Sequence, residues 1–528
     1  MLKPPSPSFR SSGGMIALTF LIPLAIYAAS RPIAPNFDGI SYRDSVLGAA
    51  PGIPVFPGHL LFGPLASVAW WSTAFVHPLP LFDALQSISH LAGALGVVLT
   101  AIVACHWGAP ARGQCLAALG LAFSSAYWMS ASDAEAYPVA VVAVAASLVM
   151  MTRFAELPTA RRAAGLAIAN VLAALVHLQL VSLVTASLFL IGARWRRDPA
   201  GARTAAGVYV ACVALGLGLP YLLTSVIALH HRSPSETIRW MLSASGGATS
   251  AHDWLSFPRA AYGFARVFLF LEFFDVASRS VLFLKGLALL LAGGWALYWL
   301  APRLSQLPRT AQVVLASHIP FVLLHVVFGV SWYPSDPERW IFFLPLIWAT
   351  VGATVPLLPA RQQLLAIAAT AAMACVNLMS AVWPMASDTS MRDRALALQR
   401  ALRPGTVMVR PGHDWFGYYS FFTHSRLPTI TLLDLATEHR QDPSGFVREL
   451  TRRLGNFEAE GRPIALIRVF DPTDTPNSDP WPQLVLLGYS RDAMQGLLRA
   501  EDWEETRLDD PAATRLYWRR GRTRQSQD

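Results

Sequence analysis

The sequence predicts a mainly α protein: a polytopic bundle of about eleven transmembrane helices, then a small water-soluble α/β domain. Three observations predict it. The chain is 54% hydrophobic and only 14% charged, where a soluble domain carries about 25% charged residues. Long charge-free runs fill the first three quarters of the chain. Charge returns after Asp388, together with short strand-like and helix-like patterns. The two parts therefore face different solvents, lipid first and water second.

A helix needs about 20 apolar residues to cross the hydrocarbon core. Runs of that character lie at 15–30, 84–105, 114–130, 137–152, 163–176, 178–192, 204–229, 280–300, 311–331, 340–358 and 363–384. The first follows Lys3 and Arg10 and ends in Ser30-Arg31-Pro32, without a small-x-small cleavage site. It reads as an uncleaved span rather than a signal peptide. Arginines then set the orientation. Arg112; Arg153 with Arg161 and Arg162; Arg194, Arg196 and Arg197 with Arg203; Arg303 with Arg309; and Arg361 mark cytoplasmic turns. With the N-terminus inside, the run 163–192 becomes a tight hairpin turning near His177. The outer face then holds the loops 31–83 and 230–279, the turns 131–136 and 332–339, and everything after about residue 385. Two further apolar stretches, 59–77 and 262–275, break the alternation if they span. They read as interfacial helices, and Trp70, Trp71 and Phe75 suit that depth.

The formal charge of +9 does not signal nucleic acid, because the arginines sit in short clusters between apolar runs, where topology accounts for them. Arginine carries nearly all the positive charge, lysine being confined to Lys3 and Lys285, and the heavy use of alanine and arginine fits a GC-rich bacterial genome. Cys105, Cys115, Cys212 and Cys375 lie in or beside apolar runs and read as small core residues. The membrane part covers 1–385 and the extracytoplasmic domain 386–520, with 521–528 a disordered tail. In that domain Thr406–Val409, Thr429–Leu433 and Ile464–Val469 have strand length, while Phe446–Ala459 has helical period. Leu484–Gly488 and Arg515–Trp518 could add strands.

The outer loops hold the residues that could carry chemistry. Asp38 follows the first span. A carboxylate at the membrane surface suits a general base or a ligand to a divalent cation, and Asp-Gly also suits a simple turn. Pro57-Gly58 sets a sharp bend before His59, which could donate to a phosphate or cap a helix. Asp133 and Glu135 interrupt two apolar spans; acids there are hydrated, paired or metal-bound, or favour a helix N-terminus. His177-Leu178-Gln179 is a polar pair inside an apolar run, the kind of pair that serves function or joins helices. Arg339 opens a span at the wrong helix end for its charge, so it is placed to meet an anion such as a lipid phosphate, or to anchor in head groups beside Trp340. His230-His231 and His252-Asp253 read as solvent-facing loop residues.

Together these pieces resemble the GT-C class of membrane glycosyltransferases, and most closely a bacterial domain-of-unknown-function family akin to the protein O-mannosyltransferases. Asp38 matches the acid after the first span. Phe56-Pro57-Gly58-His59 matches the Pro-Gly stretch of the first loop, with Val55-Phe56-Pro57-Gly58 in place of the usual His-Pro-Pro-Gly. Ala134-Glu135-Ala136-Tyr137 matches the Ala-Glu-x-Tyr segment, and His177 the later histidine. Met408-Val409-Arg410-Pro411-Gly412-His413-Asp414 is similar to the strand and Gly-x-Asp turn that open the soluble part. The resemblance implies a hexosyl or pentosyl transfer from a polyprenyl-phosphate donor in the outer leaflet of a bacterial inner membrane. Asp38 and Glu135 would be catalytic; His59, His177, Tyr137 and Arg339 would bind substrate. The acceptor, and whether a divalent cation takes part, stay open. A flippase of lipid-linked substrates would need polar residues deep along several helices. A non-catalytic scaffold would need only the C-terminal domain.

Overall fold

The structure is a computed structural model that describes residues 13–48, 56–73, 75, 78–195, 198–231, 233–243, 256–270, 291, 294, 298–331, 334–412, 416–425, 427–439, 442–467, 484, 487–498, 502–509 and 514–519. The chain divides into two compact units. One comprises Met1–Pro32 and Tyr42–Ala386, the other Ile33–Ser41 and Ser387–Asp528. The expected span 280–300 apart from residues 291, 294 and 298–300, residues 271–275 of the 262–275 stretch, His252-Asp253, His413-Asp414 and 521–528 lie outside the described residues.

The first unit is a bundle of apolar helices. In chain order they are α1 (Gly13–Ala29), α2 (Phe37–Gly48, which begins in the second unit), α3 (Phe62–Thr73), α4 (Leu81–His106), α5 (Ala111–Phe123), α6 (Ser125–Ser132), α7 (Tyr137–Glu156), α8 (Ala160–Val176), α9 (Leu183–Arg194), α10 (Pro199–Leu223), α11 (Pro234–Ser243), α12 (Ser256–Arg266), α13 (Arg309–Ser317), α14 (Ile319–Ser331), α15 (Leu344–Thr354) and α16 (Ala360–Asn377). Among the described residues six helices are long and apolar enough to cross a membrane, or seven if α5 and α6 count as one bent span. The 14–29 and 178–194 stretches are shorter apolar helices.

Helix α4 is the hub. Its 26 residues rise about 39 Å and pack against α1, α3, α5, α7 and α15. It stops because Gly108 takes φ 89°, a left-handed conformation open to glycine. Between helices in lipid, apolar burial alone gives little drive, so close contact and hydrogen bonds decide. A Cβ on Gly113 would stand 2.2 Å from the carbonyl oxygen of Gly352, and one on Gly120 2.1 Å from the Trp348 ring. These glycines let α5 and α15 touch. At the centre of α7 to α10, the Asn170 amide accepts from Ser147 at 2.6 Å and donates to Ser187 and Tyr209 at 2.7 Å each. Outward, Leu215 and Ile227 lie 69% and 65% exposed, as a lipid-facing surface requires.

Two sequence expectations change in this unit. The run 114–130 is not one straight span: α5 and α6 meet at 65°. Ser124 leaves the helix with ψ 131°, and the freed backbone is stitched elsewhere. Ser125 and Ala126 N–H donate to the carbonyls of Phe268 and Val267, and Asn377 donates to those of Phe123 and Phe268. A break at membrane depth persists only with such partners. The hairpin at His177 also opens, since α9 packs on α10, α13 and α14 more than back along α8. In the outer stretch 31–83, α3 falls in the 59–77 run read as an interfacial helix, and α2 adds a helix before it.

The bundle has two chemically distinct ends. At one, His106 meets Glu156 at 3.8 Å, Arg162 meets Glu156 at 4.0 Å, and Gly108 lies against Pro308. The arginine-bearing turns gather here. At the other, Ser30 bonds Ser132 at 2.8 Å and Trp128 at 3.0 Å, and the outer turns come together.

The second unit is a five-stranded sheet of order β2-β1-β3-β5-β4, with β1 (Val407–Arg410), β2 (Thr429–Thr431), β3 (Ile464–Ile467), β4 (Trp503–Arg507) and β5 (Arg515–Arg519). β2, β1 and β3 run parallel, while β5 is antiparallel to β3 and β4. Alternation sends Val407, Val409 and Leu466 into one core with Phe446, Leu450 and Leu454. Met408, Ala465 and Ile467 enter the other with Leu398 and Tyr419. The 429–433 run ends as a strand at Thr431, and Leu432–Glu438 is helical, its Leu433 N–H donating to the Pro411 carbonyl. The 484–488 run forms no strand among its described residues.

Candidate active site

The loop before α3 docks onto the end of α8. Leu61 N–H donates to the Leu175 carbonyl at 2.8 Å, and Leu178 N–H to that of Gly58 at 2.9 Å. Tyr221 hydroxyl donates to the Pro57 carbonyl at 2.9 Å. Pro57-Gly58 thus makes the bend that the sequence suggested, and it seats His59 over Val176. His59 Nδ1 lies 3.0 Å from the Val176 carbonyl oxygen, so Nδ1 carries the proton and Nε2 is the remaining nitrogen.

α8 stops at Val176 because His177 takes an extended conformation, φ −147° and ψ 111°. Its ring turns into a cage. Centroids lie 4.7 Å from His59, 5.5 Å from Tyr137 and 4.8 Å from Phe342. His177 is 5% exposed, and neither ring nitrogen has a hydrogen-bond partner among the described residues. A buried imidazole carries one N–H and one lone pair that call for hydrogen-bond partners. Tyr42 of α2 closes the far side, 5.9 Å from His59.

Tyr137, the first residue of α7, lies 6.3 Å from His59 ring to ring and donates its hydroxyl to Glu338 Oε2 at 2.7 Å. Its hydroxyl is therefore engaged with protein, a use the sequence did not reveal. Glu338 and Arg339 belong to a short 3-10 turn, Pro337–Arg339, capped by the Asp336 carboxylate. Arg339 Nε pairs with Asp336 at 3.2 Å. Burial lowers the His59 pKa from the ordinary 6.5 to about 4; the bond to Val176 opposes this and the Arg339 charge adds to it. His59 is neutral at physiological pH, with its one N–H committed to Val176 and Nε2 left as an acceptor.

Glu135 sits in the turn between α6 and α7 and is 1% exposed. Its backbone is fixed by one residue: Glu135 N–H donates to Ser89 Oγ and Ser89 Oγ donates to the Glu135 carbonyl, each at 2.9 Å. His90 Nδ1, one residue on, lies 2.7 Å from the Ala131 carbonyl oxygen. Asp38 lies in the first turn of α2, where an acid favours the helix dipole, and is half-buried. It belongs to the second compact unit. The structure thus brings His59, His177, Tyr137 and the Arg339 turn into one cluster, with Glu135 two residues from Tyr137 along the chain.

Three residues in or beside this cluster escaped the sequence reading: Ser89, Glu338 and His325. His325 is a buried polar residue in an apolar span, and that signal alone marks it for attention. Among the described residues no group of three His, Cys, Asp or Glu side chains stands close enough to hold a metal ion.

No protein-family model matches the chain, and no curated protein matches it. Solved structures do resemble it. ArnT from Cupriavidus metallidurans bound to undecaprenyl phosphate superposes with a TM-score of 0.58 at 12% identity, covering 96% of this chain and 98% of that one. Its apo form gives 0.57 at 13% identity with the same coverage. The archaeal oligosaccharyltransferase AglB from Archaeoglobus fulgidus, in complex with an inhibitory peptide and a dolichol-phosphate, gives 0.52 at 11% identity, covering 95% of this chain and 74% of that one. The chain has the fold of these membrane proteins, the GT-C fold.

Proposed function

We propose that this protein is a membrane glycosyltransferase that moves a hexosyl or pentosyl group from a polyprenyl-phosphate donor to an acceptor hydroxyl at the extracytoplasmic face of a bacterial inner membrane. The observation that carries the reading is the His59–His177–Tyr137–Arg339 cluster, at the bundle end opposite the arginine-bearing turns. The positive-inside rule makes the arginine end cytoplasmic, so the cluster faces outward, with the N-terminus inside and the C-terminal domain outside. The end-to-end GT-C fold supports the same reaction class, since the neighbours' structures hold undecaprenyl phosphate and dolichol-phosphate.

In the proposed reaction the acceptor oxygen attacks the anomeric carbon as the bond from that carbon to the donor phosphate oxygen breaks. The electron pair leaves with the phosphate. The acceptor proton passes to Asp38, the acid that follows the first span, with Glu135 orienting the acceptor. The oxocarbenium-like state resembles that of carboxylate-driven glycoside cleavage. Arg339 and the N–H of the neutral His177 imidazole offset charge on the departing phosphate. His177, buried with no hydrogen-bond partner among the described residues, has the N–H that a phosphate oxygen would use.

The test measures sugar transfer from undecaprenyl-phosphate sugars in membranes carrying the full chain. Asp38→Asn is expected to lower turnover by roughly 10²–10⁴-fold, the range of a lost general base. Arg339→Ala is expected to raise the donor KM. Full turnover in Asp38→Asn removes that residue from the reaction. Full turnover in both variants removes the transferase reading at this site.

A further inference from the structure

The segment 334–340 is held more firmly than a surface turn requires. Inside it, Trp340 Nε1 donates to the Pro334 carbonyl at 3.1 Å and Glu338 N–H donates to Asp336 Oδ1 at 3.0 Å. α12 lies against it, since a Cβ on Gly263 would stand 2.3 Å from the Pro334 oxygen. α14 does the same, a Cβ on Gly329 falling 2.6 Å from the Trp340 ring. Two side chains from outside then grip successive residues of the turn. Tyr137 of α7 donates to the Glu338 carboxylate at 2.7 Å. His325 of α14 donates from Nε2 to the Arg339 carbonyl at 2.8 Å.

His325 is itself fixed. It is 1% exposed, and its ring packs on Phe321, Phe342 and Phe343. We propose that Tyr137 and His325 are positioning residues that clamp the Glu338–Arg339 turn from two helices, so that the Arg339 guanidinium is set for an anionic phosphate before the ligand arrives. The clamp rests on the phosphate-donor reading of this site. Arginine loses much rotamer freedom when it binds. Fixing its backbone in advance reduces what binding must order. Neither clamping residue reaches phosphate through the group it uses on the turn, because Tyr137 Oη is engaged with Glu338 and His325 Nε2 with a carbonyl.

Two measurements on the nanodisc-embedded full chain test this. Hydrogen exchange at the amides of Glu338, Arg339 and Trp340 reads the clamp itself. Binding of undecaprenyl phosphate alone reads its consequence. His325→Leu is expected to speed exchange at those amides by at least tenfold and weaken binding 5- to 20-fold. Tyr137→Phe should weaken binding similarly. His325→Gln keeps a donor for the carbonyl and should restore both to near the parental values, which a purely structural role for ring volume does not predict. Unchanged exchange in His325→Leu overturns the clamp. Faster exchange with unchanged binding overturns the positioning role. A parental chain that fails to bind undecaprenyl phosphate, with exchange still responsive, sinks the donor reading and the positioning role while leaving the clamp as architecture.

Discussion

His59 and His177 meet edge to face with ring centroids 4.7 Å apart, although 118 positions separate them in the sequence. Each reaches the other because the first outer loop is pinned to the end of α8 by three hydrogen bonds. The pairing places two imidazoles where neither is easily charged.

A pH dependence of stability follows. Unfolded histidine titrates near 6.5, and His59 in the folded chain near 4, lowered by burial first and by Arg339 second. Between those values the unfolded chain binds a proton that the folded chain refuses. Stability is therefore full above about pH 6.5 and falls as pH drops toward 4, by up to about 1.4 kcal/mol per unit. Thermal melting of the nanodisc-embedded chain should fall between pH 7 and pH 5. His59→Gln should flatten that fall; an unaltered slope assigns it to other groups.

Ser89 is expected to be worth more than an ordinary buried serine. It is fully buried and bonds both the N–H and the carbonyl of Glu135. Ser89→Ala leaves both main-chain groups unsatisfied, a loss of about 1–3 kcal/mol for a buried group. A lower melting temperature together with lower transfer activity is the expected result. A variant that melts like the parent shows that water replaces the hydroxyl.

Gly113→Ala should destabilise without touching the site. The added methyl would stand 2.2 Å from the Gly352 carbonyl oxygen, a backbone atom that cannot rotate away. Forced overpacking costs about 1–3 kcal/mol. The melting temperature should drop, while the variant that folds should keep its KM for donor. Gly207→Ala, where nothing lies within 4 Å, is the control and should melt with the parent.

Much of the bundle was legible. Apolar runs of membrane length become α4, α7, α10, α13 with α14, and α16. The expected strands around 407, 429, 464 and 515 become β1, β2, β3 and β5. What failed has local causes. The bend at Ser124 depends on carbonyls from residues 267 and 268 and on Asn377, which no window around 124 contains. β4, with its charged Glu504, Glu505 and Arg507, lacks strand periodicity because both faces of this edge strand are exposed from Glu504 to Arg507. In the site, Arg339 was legible as a cation at the wrong helix end. Glu338 beside it was not, because its meaning comes from Tyr137, 201 residues away.

By itself the sequence determined that most of this chain is apolar enough for lipid, where several of its long helices run, and which turns carry arginine. Those are matters of transfer free energy and charge, and each residue contributes to them where it stands. The tertiary structure alone decided that His59 faces His177, that Tyr137 is tied to Glu338, and that His325 holds the Arg339 backbone. Such pairings depend on hydrogen-bond distances of about 3 Å between helices, and only the packed bundle sets those.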